Sequence, residues 1–265
     1  MNFSNIKEYL PTSFKIKIKR FLLGETGYYV SQKGFCPVCR KNATFSSVAH
    51  NYREDFICHS CGSPGRVRLL MLALDKFCPD WTSLIIHESS PGSHSGKILK
   101  QNPQYSTSKY YPNKPLGSII NGFRNENLEN LTFEDNQFDV FITQDVLEHV
   151  YNPEKVFSEI KRVLKPGGIH LFTVPIHNMN SPTEVWAKLG SKGEPIFLKT
   201  EEWHGSSVSS KDSACTMHYG YDIVDIISKS CGMKTDIYRE LNSTNGILNN
   251  PLDSFSQIEV FISRK

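Results

Sequence analysis

The sequence predicts an α/β fold: a doubly wound, mostly parallel sheet with a small cysteine-rich module ahead of it. Two observations carry this. Between residues 67 and 178 short apolar runs alternate with segments of helical period, the pattern of successive strand–helix units. Ahead of them four cysteines form two tight pairs, Cys36-Pro-Val-Cys39 and Cys58-His-Ser-Cys61, with 18 residues between the pairs.

The elements follow in order. Arg66–Phe77 reads as a helix, with apolar residues at 67, 69, 70, 71, 72 and 74. Ser83–His87 (SLIIH) and Phe138–Thr143 (FDVFIT) read as short buried strands. Pro153–Leu164 is helical, because Val156, Phe157, Ile160, Val163 and Leu164 recur at intervals of three and four. Lys165-Pro166-Gly167-Gly168 is expected to stop it, and Ile169–Val174 to form the next strand. Tyr221–Ser230 reads as a helix ended by Gly232, and Lys234–Glu240 and Gln257–Ser263 as late strands. The domain division is a basic segment at 1–30, the cysteine module at 31–66, and the sheet domain at 67–265 with an irregular insertion at 179–218.

Composition bounds the function. The chain has 265 residues, 38% apolar and 22% charged, with mean hydropathy of −0.37. These values exclude a membrane-embedded bundle and general disorder. Neither a membrane span nor a signal-peptide pattern is read from the sequence, so a cytoplasmic location is expected. Residues 1–70 hold 11 Lys/Arg against 4 Asp/Glu, while the remainder holds 19 against 23. A basic N-terminal third suits an anionic partner, or attraction to the acidic body. Contact of residues 1–30 with a membrane surface is the lesser reading.

Two cysteines three positions apart fit a turn that aims both sulfurs at one ion. Two such knuckles complete the tetrahedral four-sulfur set that Zn²⁺ accepts. The expected ligands are Cys36, Cys39, Cys58 and Cys61, in a structural site stabilising a ribbon too small to fold alone. His59 is a substitute ligand of lower rank. Gly34 and Gly62 are assigned to tight turns.

Residues 126–175 carry three ordered motifs: Leu131–Asp139 (LTFEDNQFD), Asp145–His149 (DVLEH) and Leu164–Gly168 (LKPGG). Together they resemble the class I, Rossmann-like S-adenosylmethionine-dependent methyltransferases, and in particular a subgroup with a four-cysteine zinc ribbon in front. The resemblance implies a seven-stranded sheet and S-adenosylmethionine as cofactor. It implies that Glu88 ends the first strand, and that Ser90 and Gly92 occupy the glycine-loop positions around the amino-acid part of the cofactor. It places Glu126, Asn127 and Leu128 at the adenine, and Gln144 and Asp145 at the methionine end. The sequence departs from the family pattern at Ser90 and His94, where glycine is usual, and at Asn127, where Asp is common. Around Gln104–Tyr111 no acidic residue stands ready for the ribose, and Ser106, Ser108 or Tyr110 is expected to substitute.

Methyl transfer asks mainly for positioning, and an alcohol acceptor also needs a base. His149 and His204 are the catalytic candidates. Asp145, Glu148 and His149 fall at i, i+3 and i+4 and are expected on one helix face, where they form either a cation site or a solvated helix start. The insertion, with Trp186, Phe197, Trp203 and His218, is expected to contact substrate or to anchor itself to the body. The acceptor expected is a small polar molecule, a sugar or glycan-precursor hydroxyl by analogy with the subgroup. The alternatives are RNA, bound through the basic ribbon, and a non-catalytic binding protein with a decayed pocket.

Overall fold

The structure, a computed structural model, describes residues 30–92, 94–205, 213–249 and 257–265. The basic segment assigned to 1–30 lies outside them apart from Val30. The chain forms two compact units. No helix among the described residues is long and apolar enough to cross a membrane.

The first unit comprises, in its described part, residues 30–77, 239–249 and 257–259. Strands β1 (Val30–Cys36), β2 (Lys41–Ser47) and β3 (Ile57–Cys58) form an antiparallel ribbon in the order β1-β2-β3. Helix α1 (Tyr52–Asp55) precedes β3, and α2 (Gly65–Phe77) follows it. The apolar stripe of α2, including Val67, Leu69, Leu70 and Leu74, is buried. That helix was expected to open the sheet domain, yet it groups with the ribbon, as do residues 239–249 and 257–259. A three-stranded ribbon has one small apolar face, and these pieces supply what covers it. Gly62 does take a turn, with φ of +81°. Gly34 instead lies within β1, where a side chain would begin 1.9 Å from the Thr244 carbonyl oxygen.

The second unit is built on an eight-stranded sheet. Its strands are β4 (Ile86–Ser89), β5 (Tyr105–Lys109), β6 (Ile119–Ile120), β7 (Phe123–Asn125), β8 (Phe138–Gln144), β9 (Leu164–Thr173), and, after the insertion, β17 (Lys234–Tyr238) and β18 (Val260–Arg264). The order is β17-β18-β9-β8-β4-β5-β7-β6. Neighbours from β9 to β7 are parallel, while β17, β18 and β6 each join through an antiparallel pairing. The expected seven strands are therefore eight and the sheet is mixed. The added strand is β6, a hairpin partner of β7 joined through Asn121 and Gly122, both with positive φ.

Helix α3 (Ser95–Leu99) follows β4, α4 (Pro153–Val163) precedes β9, and α5 (Ile223–Cys231) precedes β17. Pro153 is at the first position of α4, and the Asn152 side chain caps it by accepting from Lys155 N. Val156, Phe157, Ile160 and Val163 are buried in a core with Phe138, Phe141, Phe172 and Tyr219. Gly232 closes α5 at φ +73°. The Lys165–Gly168 turn is not a gap before β9. The strand already starts at Leu164, with a register shift against β8 between Phe138 and Val140.

Candidate active site

Chain order reverses at β4: β5 lies on one side and β8 on the other. In a doubly wound sheet the crevice at the carboxyl ends of such strands is where ligands bind. The polar residues there come from the ends of β4 and β8. Glu88, fully buried in β4, has a carboxylate that accepts from Ser95 Oγ at 2.9 Å, from Gln144 Nε2 at 2.5 Å and from the Tyr105 hydroxyl. Gln144 Nε2 also donates to Ser95 Oγ at 2.8 Å. Burial pushes the Glu88 carboxyl up, against the pull of these donors and of the Gly92 backbone.

Two non-glycine residues beside this cluster are left-handed, Ser90 at φ +51° and Asp145 at φ +49°. Such backbone is costly and persists where the surroundings impose it, most often at functional sites. Ser90 N donates to the Ser108 carbonyl oxygen and Asp145 N to that of Thr173. The Asp145 carboxylate accepts from the Thr173 hydroxyl at 2.9 Å. A Cβ on Gly92 would meet nothing closer than Ser95 Oγ at 4.0 Å, so the loop leaves space there. Glu88, Ser90, Gly92, Gln144 and Asp145 thus lie at or just past the ends of two neighbouring strands, β4 and β8.

The adenine and ribose candidates are placed differently. Ser108 Oγ is buried and bonded to His87 Nε2 at 2.9 Å, and Ser106 Oγ takes His87 Nδ1 at 2.9 Å. Both hydroxyls turn toward the His87 ring, Ser108 from a buried position and Ser106 from an exposed one. Glu126 is buried. Its carboxylate accepts from Arg124 Nε at 2.6 Å, from Thr132 N at 2.8 Å and from Thr132 Oγ1 at 2.5 Å. Asn127 Oδ1 accepts from Glu129 N in a local turn, and Leu128 belongs to the core. The Glu126 carboxylate and Asn127 Oδ1 are thus engaged within the segment that follows β5 and β7.

Asp145, Glu148 and His149 do not share a helix face. Only Leu147–His149 is helical, as a single 3₁₀ turn, and Asp145 precedes it with left-handed backbone. His149 Nδ1 is bonded to the Ala214 carbonyl oxygen at 2.9 Å. Its ring meets His204 edge-on, with centroids 5.2 Å apart at 86°. Burial pulls the His149 imidazole below its usual pKa. The sequence candidates His149 and His204 therefore meet, although 55 positions separate them.

The insertion is not irregular. Its described residues hold β11 (Glu184–Val185), β12 (Ala187–Leu189), β13 (Pro195–Phe197), β14 (Trp203–His204), β15 (Ser213–Ala214) and the start of β16 (Met217–Gly220), and β16 pairs with β10 (Ile176–Asn178) just ahead of the insertion. Glu202 was not foreseen. Its carboxylate takes His204 Nε2 on one oxygen and His218 Nε2 on the other, each at 2.9 Å. His218 stacks between Trp186, at 3.7 Å and 12°, and His177, at 4.1 Å and 9°. The Glu-Trp-His spacing at 202–204 was the available signal for the first pairing. Nothing in the sequence signals the second.

In the ribbon unit the ligand atoms of Cys36, Cys39, Cys58 and Cys61 all lie within 4.8 Å of one another. Cys36 Sγ and Cys61 Sγ are 3.8 Å apart, and all four cysteines are free of disulfides. A tetrahedral ion with sulfurs at about 2.3 Å sets them about 3.8 Å apart, so the donor set fits such an ion. His59 is bonded to Ser46 Oγ through Nε2 at 2.8 Å, away from a ligand role.

Residues 101–172 match the methyltransferase-domain family. The matched segment runs from just before β5 into β9 and leaves out β4 and the Glu88–Gly92 loop. Among curated proteins, the sarcosine/dimethylglycine N-methyltransferase of Aphanothece halophytica is 44% identical over 57 residues, 22% of this chain and 21% of that protein. The ubiquinone biosynthesis O-methyltransferase of Roseobacter denitrificans is 32% identical over 83 residues, 31% of this chain and 33% of that protein. The match to the first covers about a fifth of its length. Among solved structures, an S-adenosylmethionine-dependent methyltransferase from Mesorhizobium loti aligns with 74% of this chain and 97% of its own, at 13% identity and a TM-score of 0.46.

Proposed function

We propose that the chain is an S-adenosylmethionine-dependent methyltransferase acting on a small polar acceptor, with a structural zinc ion in its four-cysteine ribbon. The observation that carries the first part is the pair of left-handed residues, Ser90 and Asp145, at the two strand ends that flank the chain reversal. The methyltransferase match over 101–172, which includes β8 and Asp145, supports it. Glu88, the Ser90–Gly92 backbone, Gln144 and Asp145 hold the methionine end of the cofactor. Backbone of the 126–128 segment faces the adenine. Ser108 is not among these residues, because its hydroxyl is fully buried against His87.

The cofactor supplies an activated methyl group on a sulfonium. The protein's share is to hold an acceptor in line and exclude water. His149 and His204 stand at the acceptor end, where a neutral imidazole nitrogen can take the proton an O–H acceptor releases. The acceptor suggested by the resemblance is a sugar hydroxyl. The amines in the names of the relatives supply the second acceptor class to assay.

Titration calorimetry with S-adenosylhomocysteine tests the cofactor assignment. The wild-type chain binds it, and Gly92→Leu weakens binding at least tenfold without lowering the melting temperature, since the side chain enters open space. No binding by the wild-type chain overturns the reading.

A further inference from the structure

The two candidate bases, His149 and His204, are held by unlike partners. His149 Nδ1 faces the Ala214 carbonyl oxygen at 2.9 Å. A carbonyl only accepts, so this ring carries its proton on Nδ1. His204 Nε2 faces a Glu202 carboxylate oxygen at 2.9 Å. An ionised carboxylate also only accepts, so the His204 ring carries its proton on Nε2 and keeps Nδ1 as its basic nitrogen. We propose that Glu202 is a positioning residue, and that it makes His204 rather than His149 the base that takes the acceptor's proton.

The strand register builds the pair. Trp203 of β14 lies opposite Ala214 of β15, and beside them Cys215 N donates to the Glu202 carbonyl oxygen at 2.9 Å. Successive side chains of an extended chain alternate sides, so Glu202 and His204, which flank Trp203, share one. The other carboxylate oxygen of Glu202 accepts from His218 Nε2 at 2.9 Å. That ring is clamped between Trp186 and His177. Glu202 is therefore anchored at one oxygen by a packed ring while the other orients His204. Desolvation works against its charge, but the bonds from His204 and His218 outweigh it and hold the carboxyl below its usual range.

What separates the two histidines is charge. An imidazole that takes a proton becomes a cation. A carboxylate balances that cation, whereas a carbonyl chiefly orients the ring. His149 is also the more buried, at 18% exposed against 33% for His204, and burial disfavours its charged form. The ionisable groups gathered at His204 are Glu202, Cys215, His149 and Glu148, and of these it is Glu202 that bonds to its ring nitrogen.

The base role rests on the methyl-transfer reading. An O–H acceptor gives its proton to His204 Nδ1 and keeps the electron pair with which it attacks. The imidazolium so formed is paired with the Glu202 carboxylate.

The test is proton–nitrogen NMR of the full chain carrying ¹⁵N-labelled histidine, with signals assigned by His204→Gln and His149→Gln. It needs no acceptor. In the wild-type chain His204 should show its proton on Nε2, and His149 on Nδ1. Glu202→Gln keeps the side-chain size and removes the charge. The His204 Nε2–H should then exchange with water at least about tenfold faster, because a charge-assisted bond is roughly twice as strong as a neutral one. Glu202→Asp keeps the charge and should exchange more slowly than Glu202→Gln. The His149 signal should stay unchanged in both variants, which a general loosening of the fold would not allow. A His204 proton on Nδ1, or equal exchange in wild type and Glu202→Gln, overturns the proposal. Failure of the methyltransferase reading would show separately, as no binding of S-adenosylhomocysteine by a chain whose histidine signals are as expected.

Discussion

Arg68 shows how much one residue can decide. Its guanidinium is fully buried in the ribbon unit and donates to the carbonyls of Gly246 (2.6 Å from Nη2), Phe56 (2.6 Å) and Ser63. It lies 4.7 Å over the Phe45 ring. Burial lowers its pKa to about 10, with the cysteine sulfurs pulling the other way. A planar fork is the side chain that can bind three carbonyls at once. Arg68→Met keeps much of the volume and leaves those carbonyls without a donor. It should cost about 3 kcal/mol, read as a lower urea midpoint. A loss below about 1 kcal/mol would mean that water replaces the guanidinium.

At the scale of one element, β9 explains why a Pro-Gly-Gly run sits inside a strand. A Cβ on Gly168 would fall 2.9 Å from the Lys165 carbonyl oxygen and 3.0 Å from that of Asp139. The glycine therefore allows the close approach that the register shift against β8 demands. Gly167 has φ of +78° but open space around it. Gly168→Ala should destabilise by about 2 kcal/mol through steric displacement of the backbone, and Gly167→Ala by about 1 kcal/mol through conformation alone. Thermal denaturation of both variants checks the order, and the reverse order would remove the close approach as the reason for Gly168.

Across the molecule, the sheet interior carries two buried histidines. His87 is bonded to Ser106 and Ser108, and His170 to Thr143, with aromatic rings around both. Burial holds each pKa near 3. The unfolded chain protonates them near 6.5 and the folded chain does not. Their contribution is therefore complete above about pH 6.5 and is lost as pH falls toward 3. At pH 5 the loss is about 2 kcal/mol for each histidine. Urea unfolding at pH 7 and pH 5 should show this drop, and His170→Leu should flatten the slope. An unchanged slope in that variant would place the acid sensitivity elsewhere.

Part of this site was legible in the residues themselves. Glu88 and Gln144 were assigned through the family resemblance, and they stand next to last in β4 and last in β8. The cysteine set was legible because two matched knuckles already specify four ligands. The pairings of Glu202 with His218 and of His149 with His204 were not, since they join residues 16 and 55 positions apart through loops whose path no local period encodes. Ser108 was misplaced because a period-two pattern gives two faces without saying which one a buried histidine will claim.

What the sequence determined by itself was local: the strands at β4, β8 and β9, the helices α2, α4 and α5, the stop at Gly232 and the pairing of cysteines within each knuckle. Each depends on neighbours within a few positions. Only the tertiary structure decided that the sheet has an eighth strand, that α2 and residues 239–249 and 257–259 join the ribbon unit, and that four histidines from distant segments gather around Glu202. Those outcomes depend on which apolar faces cover one another. Burial is settled by the packing of the whole chain, because hydrophobic contact is non-directional and carries no address in the sequence.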